Sequence, residues 1–284
     1  MDWSSLSPAA LRQAMREGKW TGPTGALAPG FEQGNLVILP EAWADDFRLY
    51  CQRNPKPCPL TAEGRPGDPT LPALGARIDL RTDLPRYRVF RAGKPAVDVP
   101  DISDVWRGDL VPFVLGCSLS FEAALVQAGV WLRHYELGTT CTAYMSNLET
   151  APAGPFATKL IVTMRAIRRD QSERVIEVTR RFSESHGEPV HVGDPAAIGI
   201  LDLADTYEDI GLNNVQEDEV PMFWACGVTA LEAVRAAAPD LFITHAPAHM
   251  LITDRPALGS GEYRPRNTAA RFAPASSPRT KHTL

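Results

Sequence analysis

The spacing of hydrophobic and polar positions changes period repeatedly along this chain, which predicts an α/β fold rather than an all-helical or all-strand one. An opening helix is signalled by Ser7 as N-cap, Pro8 at the first helical position and Gly18 just past the last turn. Thr21 to Gly34 holds four glycines and two prolines among fourteen residues and reads as a loop. Asn35 to Leu39 is a short apolar strand. Glu41 to Arg53 sets Trp43, Phe47 and Tyr50 with Cys51 at helical spacing, and stops before Asn54-Pro55 because a residue preceding proline resists the αR region. Tyr87 to Phe90 and Ala96 to Val99, flanking Ala92-Gly93, predict two paired strands, and Leu160 to Met164 and Val175 to Thr179 predict further ones. From Arg255 onward Pro, Ser, Ala, Thr and Arg dominate and the apolar period disappears. Residues 1–254 therefore form the folded body, and 255–284 are expected to be a disordered basic tail.

One pattern occurs twice. Val111 to Leu115 leads into Gly116-Cys117-Ser118-Leu119-Ser120 and a helical run, Phe121 to Ala128. Val220 to Ala225 leads into Cys226-Gly227-Val228-Thr229 and a run from Ala230 to Ala238. Ser120 and Thr229, each three residues after a cysteine, are placed to cap the helices, and Thr229 with Glu232 fits a capping box. A strand feeding straight into a helix leaves unpaired N–H groups and partial positive charge at the turn, which favours anions. Cys117, Ser118, Cys226 and Gly227 are thus candidates to line one shared site, with Cys117 a candidate nucleophile if its thiol is acidified. Simple packing of small apolar side chains accounts for the cysteines equally well.

Composition narrows the field. The chain has 284 residues, 44% of them hydrophobic, enough for one large domain or two intimately packed ones. A formal net charge of −5 argues against a nucleic-acid or membrane-surface partner. Met1 to Gly18 carries Asp2, Arg12, Arg16 and Glu17 without an apolar stretch, so no secretory signal is expected, and no run approaches the roughly 18 apolar residues of a membrane span. Five cysteines, an odd number, favour reduced thiols, and the expected compartment is the cytoplasm.

Proton-handling candidates lie in two punctuated segments, His186, His191 and Asp194 in one and His245, His249 and Asp254 in the other. His191 and His245 are the first candidates for acid/base work, with Asp194 orienting one imidazole. His186, His249 and Asp254 are candidate ligands for a divalent metal, although Pro247 keeps His245 and His249 off one helical face. Structural histidines remain the plain alternative. Arg165 is a candidate partner for a substrate carboxylate. No Gly-x-Gly-x-x-Gly, Walker A, Gly-x-Ser-x-Gly or His-Glu-x-x-His occurs, so no nucleotide cofactor is expected.

Several segments together resemble a known family. Gly22 to Pro40, Cys51 to Leu60, Arg81 to Arg88, Gly116-Cys117-Ser118, His186 to Asp194, Phe223 to Thr229 and Ile243 to Asp254 look, in order and at family-like spacing, like signatures of the hydro-lyases related to D-glutamate cyclase. The resemblance implies a three-layer α/β/α portion with a smaller two-layer α+β portion built into the same chain, as two packed subdomains. It also implies a lyase of amino-acid metabolism that removes water from a small carboxylate or amino acid, as in D-glutamate to 5-oxo-D-proline, with a homo-oligomer compatible with it. Gln33 and Asn35, in the first signature, join the candidate substrate contacts. After Gly138 relatives typically read Arg-Asn-Val-Pro-Met-Tyr-Arg-Thr-Asn, whereas this chain reads Thr139-Thr-Cys-Thr-Ala-Tyr-Met-Ser-Asn147. That departure leaves open a dehydratase of another small hydroxy or amino acid, or a non-catalytic carboxylate-binding protein.

Overall fold

Phe31–Pro40 forms β1, whose seven central residues are all buried. The computed structural model describes residues 2–207 and 211–257. On one side β1 pairs with β5 (Leu110–Gly116), Gly34 opposite Gly116 and Pro40 opposite Leu110. On the other it pairs with β10 (Leu241–His245) and, nearer its start, with β11 (Leu251–Pro256). Beyond these, β2 (Leu60–Glu63) flanks β5, and β3 (Tyr87–Arg91) with β4 (Val97–Val99) extends from β10. Every pairing is antiparallel.

The continuous apolar run Leu36 to Leu39 follows from cover on both faces. Val37 and Leu39 meet α2 (Ala44–Arg53) and α6 (Val228–Ala237) through Phe47, Ala230 and Val234. Leu36 and Ile38 meet an irregular layer that includes Leu71, Leu74, Leu84 and Ile102. A second antiparallel sheet runs in the order β6 (Thr142–Glu149), β7 (Lys159–Arg168), β9 (Glu219–Ala225), β8 (His191–Val192). One of its faces packs Ile167, Met222 and Trp224 against α3 (Leu119–Gln127) and α5 (Ser172–Arg180), and the other packs Val162, Met164 and Phe223 under Ile198 and Ile200. Helices on antiparallel sheets give the α/β class. No helix among the described residues is long and apolar enough to cross a membrane.

The first helix, α1 (Pro8–Arg16), begins where Ser7 accepts a bond from the Ala10 amide at 3.3 Å and is followed by Gly18 at φ +64. Leu11 and Met15, four residues apart, bury its inner face against Ile252. The expected hairpin forms, with Tyr87 opposite Val99. Three expectations are corrected. Val175 to Thr179 lies within α5, because burial falls on Val175 and Thr179, a helical step that the β-branched composition disguises, and the Thr179 hydroxyl donates to the Val175 carbonyl at 2.8 Å. The loop ends at Gly30, not Gly34, since β1 already pairs at Phe31. The folded body extends beyond 254. Arg255 pairs with Glu32 at 3.2 Å and with Glu184 at 2.8 Å, and Ala257 is buried, so the expected tail begins no earlier than 258, outside the described residues.

Candidate functional site

The two strand, cysteine, helix units share more than a sequence pattern. Strand β5 belongs to the larger sheet, yet α3, which follows Cys117, packs on the smaller one. Strand β9 belongs to the smaller sheet, yet α6, which follows Cys226, packs on the larger. Each cysteine turn therefore carries the chain from one sheet to the other. Both turns line a single cavity of about 1650 Å³.

The helix starts are not closed as the sequence predicts. Ser118 and Gly227, not Ser120 and Thr229, hold the N-cap positions, and neither helix has a side-chain cap. The Ser120 hydroxyl instead accepts from the Gln33 amide at 3.0 Å, and that of Thr229 accepts from the Ile161 amide at 3.0 Å. These buried hydroxyls tie the helices to neighbouring strands, and tertiary satisfaction outweighs the local cap.

Asn35, pointing from β1, stands between the turns. Its amide donates to the Gly116 carbonyl at 2.8 Å, and a Cβ on Gly227 would lie 2.4 Å from the same nitrogen, so Gly227 is small because Asn35 passes there. The Asn35 oxygen lies 3.1 Å from Nε2 of His245, whose Nδ1 lies 2.7 Å from the Ala246 carbonyl. Burial, opposed by that carbonyl, lowers the His245 pKa to about 4. At neutral pH this imidazole is uncharged.

Sequence reading missed the most chemical part of the wall. Tyr135 donates its hydroxyl to Glu122 of α3, and Tyr207 donates its hydroxyl to Glu232 of α6. All four line the cavity. Each carboxylate is also held by an arginine: Arg165 reaches Glu122 at 2.5 Å with both side chains fully buried, and Arg235 reaches Glu232 at 2.6 Å with the arginine 59% exposed. Burial pushes the Glu122 pKa up, but Arg165, His134 and Tyr135 outweigh it and hold it at about 2. The doubled cysteine unit is thus a doubled Tyr–Glu–Arg unit as well. A signal was present in Phe121-Glu122-Ala123 and Leu231-Glu232-Ala233, where an acid interrupts an apolar helical run.

Other candidates are placed as follows. Arg165 stands behind the cavity wall and does not line it: its guanidinium lies 5.0 Å from the Phe121 ring and 5.3 Å from the Trp224 ring, and it donates to Glu122 and to Ser118 Oγ at 3.1 Å. Cys117 lines the cavity, but burial pushes its thiol up to about 12, against the acidified nucleophile expected. Gln33 donates its amide nitrogen to the Thr24 and Leu27 carbonyls at 3.0 and 3.1 Å, and its buried Oε1 has no hydrogen-bond partner among the described residues. His191 does not meet His245. Its ring rests on Phe223, on the face of the smaller sheet turned away from α3, and its Nε2 donates to the Asp194 carbonyl at 2.7 Å while the exposed Asp194 carboxylate accepts from the Ala196 amide. The candidate metal set is dispersed. Buried His186 donates to the Lys56 carbonyl at 2.8 Å, Asp254 binds Arg12 at 2.8 Å, and of the three only His249 lines the cavity, with Nδ1 2.6 Å from the Pro247 carbonyl. Among the described residues no group of three or more His, Cys, Asp or Glu gathers as a metal would require.

Comparison with known proteins assigns the chain to a family. The family described as D-glutamate cyclase matches residues 111–254, the span holding both cysteine turns. A protein of Afipia carboxidovorans is 51% identical over 89% of this chain and 93% of its own length. One of Verminephrobacter eiseniae is 52% identical over 86% and 88%, and one of Pseudomonas aeruginosa 48% identical over 89% and 95%. All three carry the name "Putative hydro-lyase". A solved nitrogen repressor-like protein of Methanococcus jannaschii overlays 89% of this chain and 99% of its own, with a TM-score of 0.39 and 9% identity.

Proposed function

The chain belongs to the D-glutamate cyclase family, and from that membership we propose that it is a hydro-lyase that closes the amine of D-glutamate onto its γ-carboxyl, releasing water and forming 5-oxo-D-proline. The observation that carries this reading is the convergence of two uncapped helix starts and two Tyr–Glu pairs on one cavity. Helix starts attract carboxylates, and phenols polarised by carboxylates attract ammonium, so the wall suits a small zwitterion.

In the proposed reaction the γ-carboxyl lies at the Cys117 and Cys226 turns, where N–H groups stabilise the tetrahedral oxyanion. The ammonium lies at the phenol oxygens. Glu122, held ionised by buried Arg165, positions Tyr135 and keeps no proton. Glu232, whose arginine is mostly exposed, takes an ammonium proton through the Tyr207 hydroxyl and returns it to the departing oxygen. The N–C bond forms, the C–O bond breaks, and both protons lost by the amine leave in the water. His245, uncharged at neutral pH and so with a single N–H for the Ala246 carbonyl and the Asn35 oxygen, packs beside Asn35 and is not the base.

The test is incubation of purified protein with D- and L-glutamate, following loss of one water by mass spectrometry. The expected result is 5-oxo-D-proline from the D-isomer. Binding of D-glutamate without turnover would replace this reading with a non-catalytic carboxylate-binding one.

A further inference from the structure

The cavity is larger than free glutamate fills, and its wall carries more acids than arginines. At about 1650 Å³ it exceeds the roughly 300–1,000 Å³ that encloses a drug-sized ligand, itself larger than a single amino acid. Beside its polar groups the cavity has apolar surface, from Trp3, Trp20 and Leu27, which pack in one cluster, and from Phe90 and Met250. This apolar floor adjoins the reactive wall, because a small side cleft is lined by Leu27 together with Leu119 and Tyr135. Trp20 is held in place, its indole N–H donating to the Gly22 carbonyl at 2.9 Å and its ring 5.3 Å from that of Trp3.

Charge points the same way. The wall carries the carboxylates Asp2, Glu122, Glu136 and Glu232, against the arginines Arg88 and Arg235. Three ion pairs hold these groups within the wall or just behind it, Arg88 with Asp98 at 2.7 Å, Arg235 with Glu232 at 2.6 Å and Glu122 with Arg165 at 2.5 Å, so Asp2 and Glu136 are the acids that no ion pair among the described residues offsets. In the reaction proposed above both helix starts face the reacting γ-carboxylate. A second carboxylate on the substrate meets a net acidic wall, an unfavourable juxtaposition in a partly desolvated site.

Ring closure consumes the amine and the γ-carboxyl, so the α-carboxyl is the position from which a substrate can be extended. Resting on the cyclising reaction proposed above, we infer that the preferred substrate is a D-glutamyl unit whose α-carboxyl is masked as an amide bearing an apolar or aromatic group, with that group seated on Trp20 and its neighbours. Masking removes the surplus negative charge and fills the apolar floor. The bond changes at the γ-carbon are those already given.

The experiment compares three compounds with the full chain: D-glutamate, its simple α-amide and its α-benzylamide, measured as kcat/KM for loss of water. The α-amide is expected to exceed D-glutamate, and the benzylamide to exceed the α-amide by about tenfold or more, the size of effect that filling an apolar pocket gives. Trp20→Ala, checked by melting temperature, is expected to shrink the benzylamide to α-amide ratio about tenfold. D-glutamate as the best of the three, or a Trp20→Ala ratio equal to that of the parent, overturns the inference and leaves the cyclase reading standing. If none of the three loses water, the cyclase reading fails, and calorimetric binding decides the inference: tighter binding of the benzylamide than of D-glutamate upholds it, and equal or weaker binding overturns it.

Discussion

Nε2 of His245 lies 3.1 Å from the side-chain oxygen of Asn35, the residue that separates the two cysteine turns. Changing that oxygen to a carboxylate alters the imidazole without touching it. In Asn35→Asp the His245 pKa is expected to rise from about 4 toward neutrality, because an adjacent anion favours the imidazolium. The same change removes the donor to the Gly116 carbonyl, costing about 1–3 kcal/mol. Histidine NMR titration of parent and variant checks the first effect, and denaturant unfolding the second.

Acid sensitivity should be governed by two buried histidines. Burial, opposed by carbonyl hydrogen bonds, lowers both His186 and His245 to about 4. The unfolded chain binds these protons near pH 6.5, so it gains protons that the folded chain refuses between about 6.5 and 4. The histidine contribution is therefore complete above 6.5, falls as pH drops through that window, and levels below 4, each site contributing about 3 kcal/mol. Glu32, raised by burial to about 7, acts in the opposite sense. His186 sits at φ +77, a conformation asparagine tolerates, so His186→Asn should flatten the pH dependence of Tm between 4 and 6.5. An unchanged slope would show that other groups set it.

The Glu122–Arg165 pair is expected to be costly to break and cheap to remove. Glu122→Gln leaves Arg165 buried without a counter-charge and should destabilise by about 3–5 kcal/mol, whereas Glu122→Gln with Arg165→Met should recover much of the loss. Denaturation midpoints of the two variants and the parent measure this directly. A double variant no better than the single one would mean that packing against Phe121 and Trp224, not charge, is what Arg165 supplies.

The two phenols should differ in kind. Tyr207→Phe removes the hydroxyl that links the amine to Glu232 and is expected to lower kcat by about 10²–10³-fold with a near-parental Tm. Tyr135→Phe leaves a buried Glu122 oxygen short of a donor and should lower Tm as well as turnover. Steady-state rates beside melting curves separate the two. Equal loss of turnover and of stability in both variants would argue that neither phenol handles the proton.

The legible parts of this protein were those written within one element. Ser7-Pro8, the Tyr87 to Val99 hairpin and the repeated strand, cysteine, helix units all depend on neighbours in sequence, and the structure has each of them. Glu122 with Arg165, 43 positions apart, and Tyr207 with Glu232, 25 apart, were invisible because folding, not spacing, brings them together. Histidine chemistry misled for a related reason. His191 and His245 both follow strand-like residues, but the alternation of a strand decides the face, and pairing with Phe223 turns His191 away from the cavity. Ser120 and Thr229 had the right composition for caps and were taken instead by Gln33 and Ile161.

Because the chain changes sheets at each cysteine turn, the two sheets are laced together, and neither owns the cavity wall that its own strand begins. Separating them would pull α3 and α6 off their partners at once. The molecule should therefore melt in a single calorimetric transition, with no intermediate in which one sheet survives alone. A cavity of this kind has no existence in a half-formed molecule: it appears only when both crossings close, so the capacity to bind and the completion of folding arrive together.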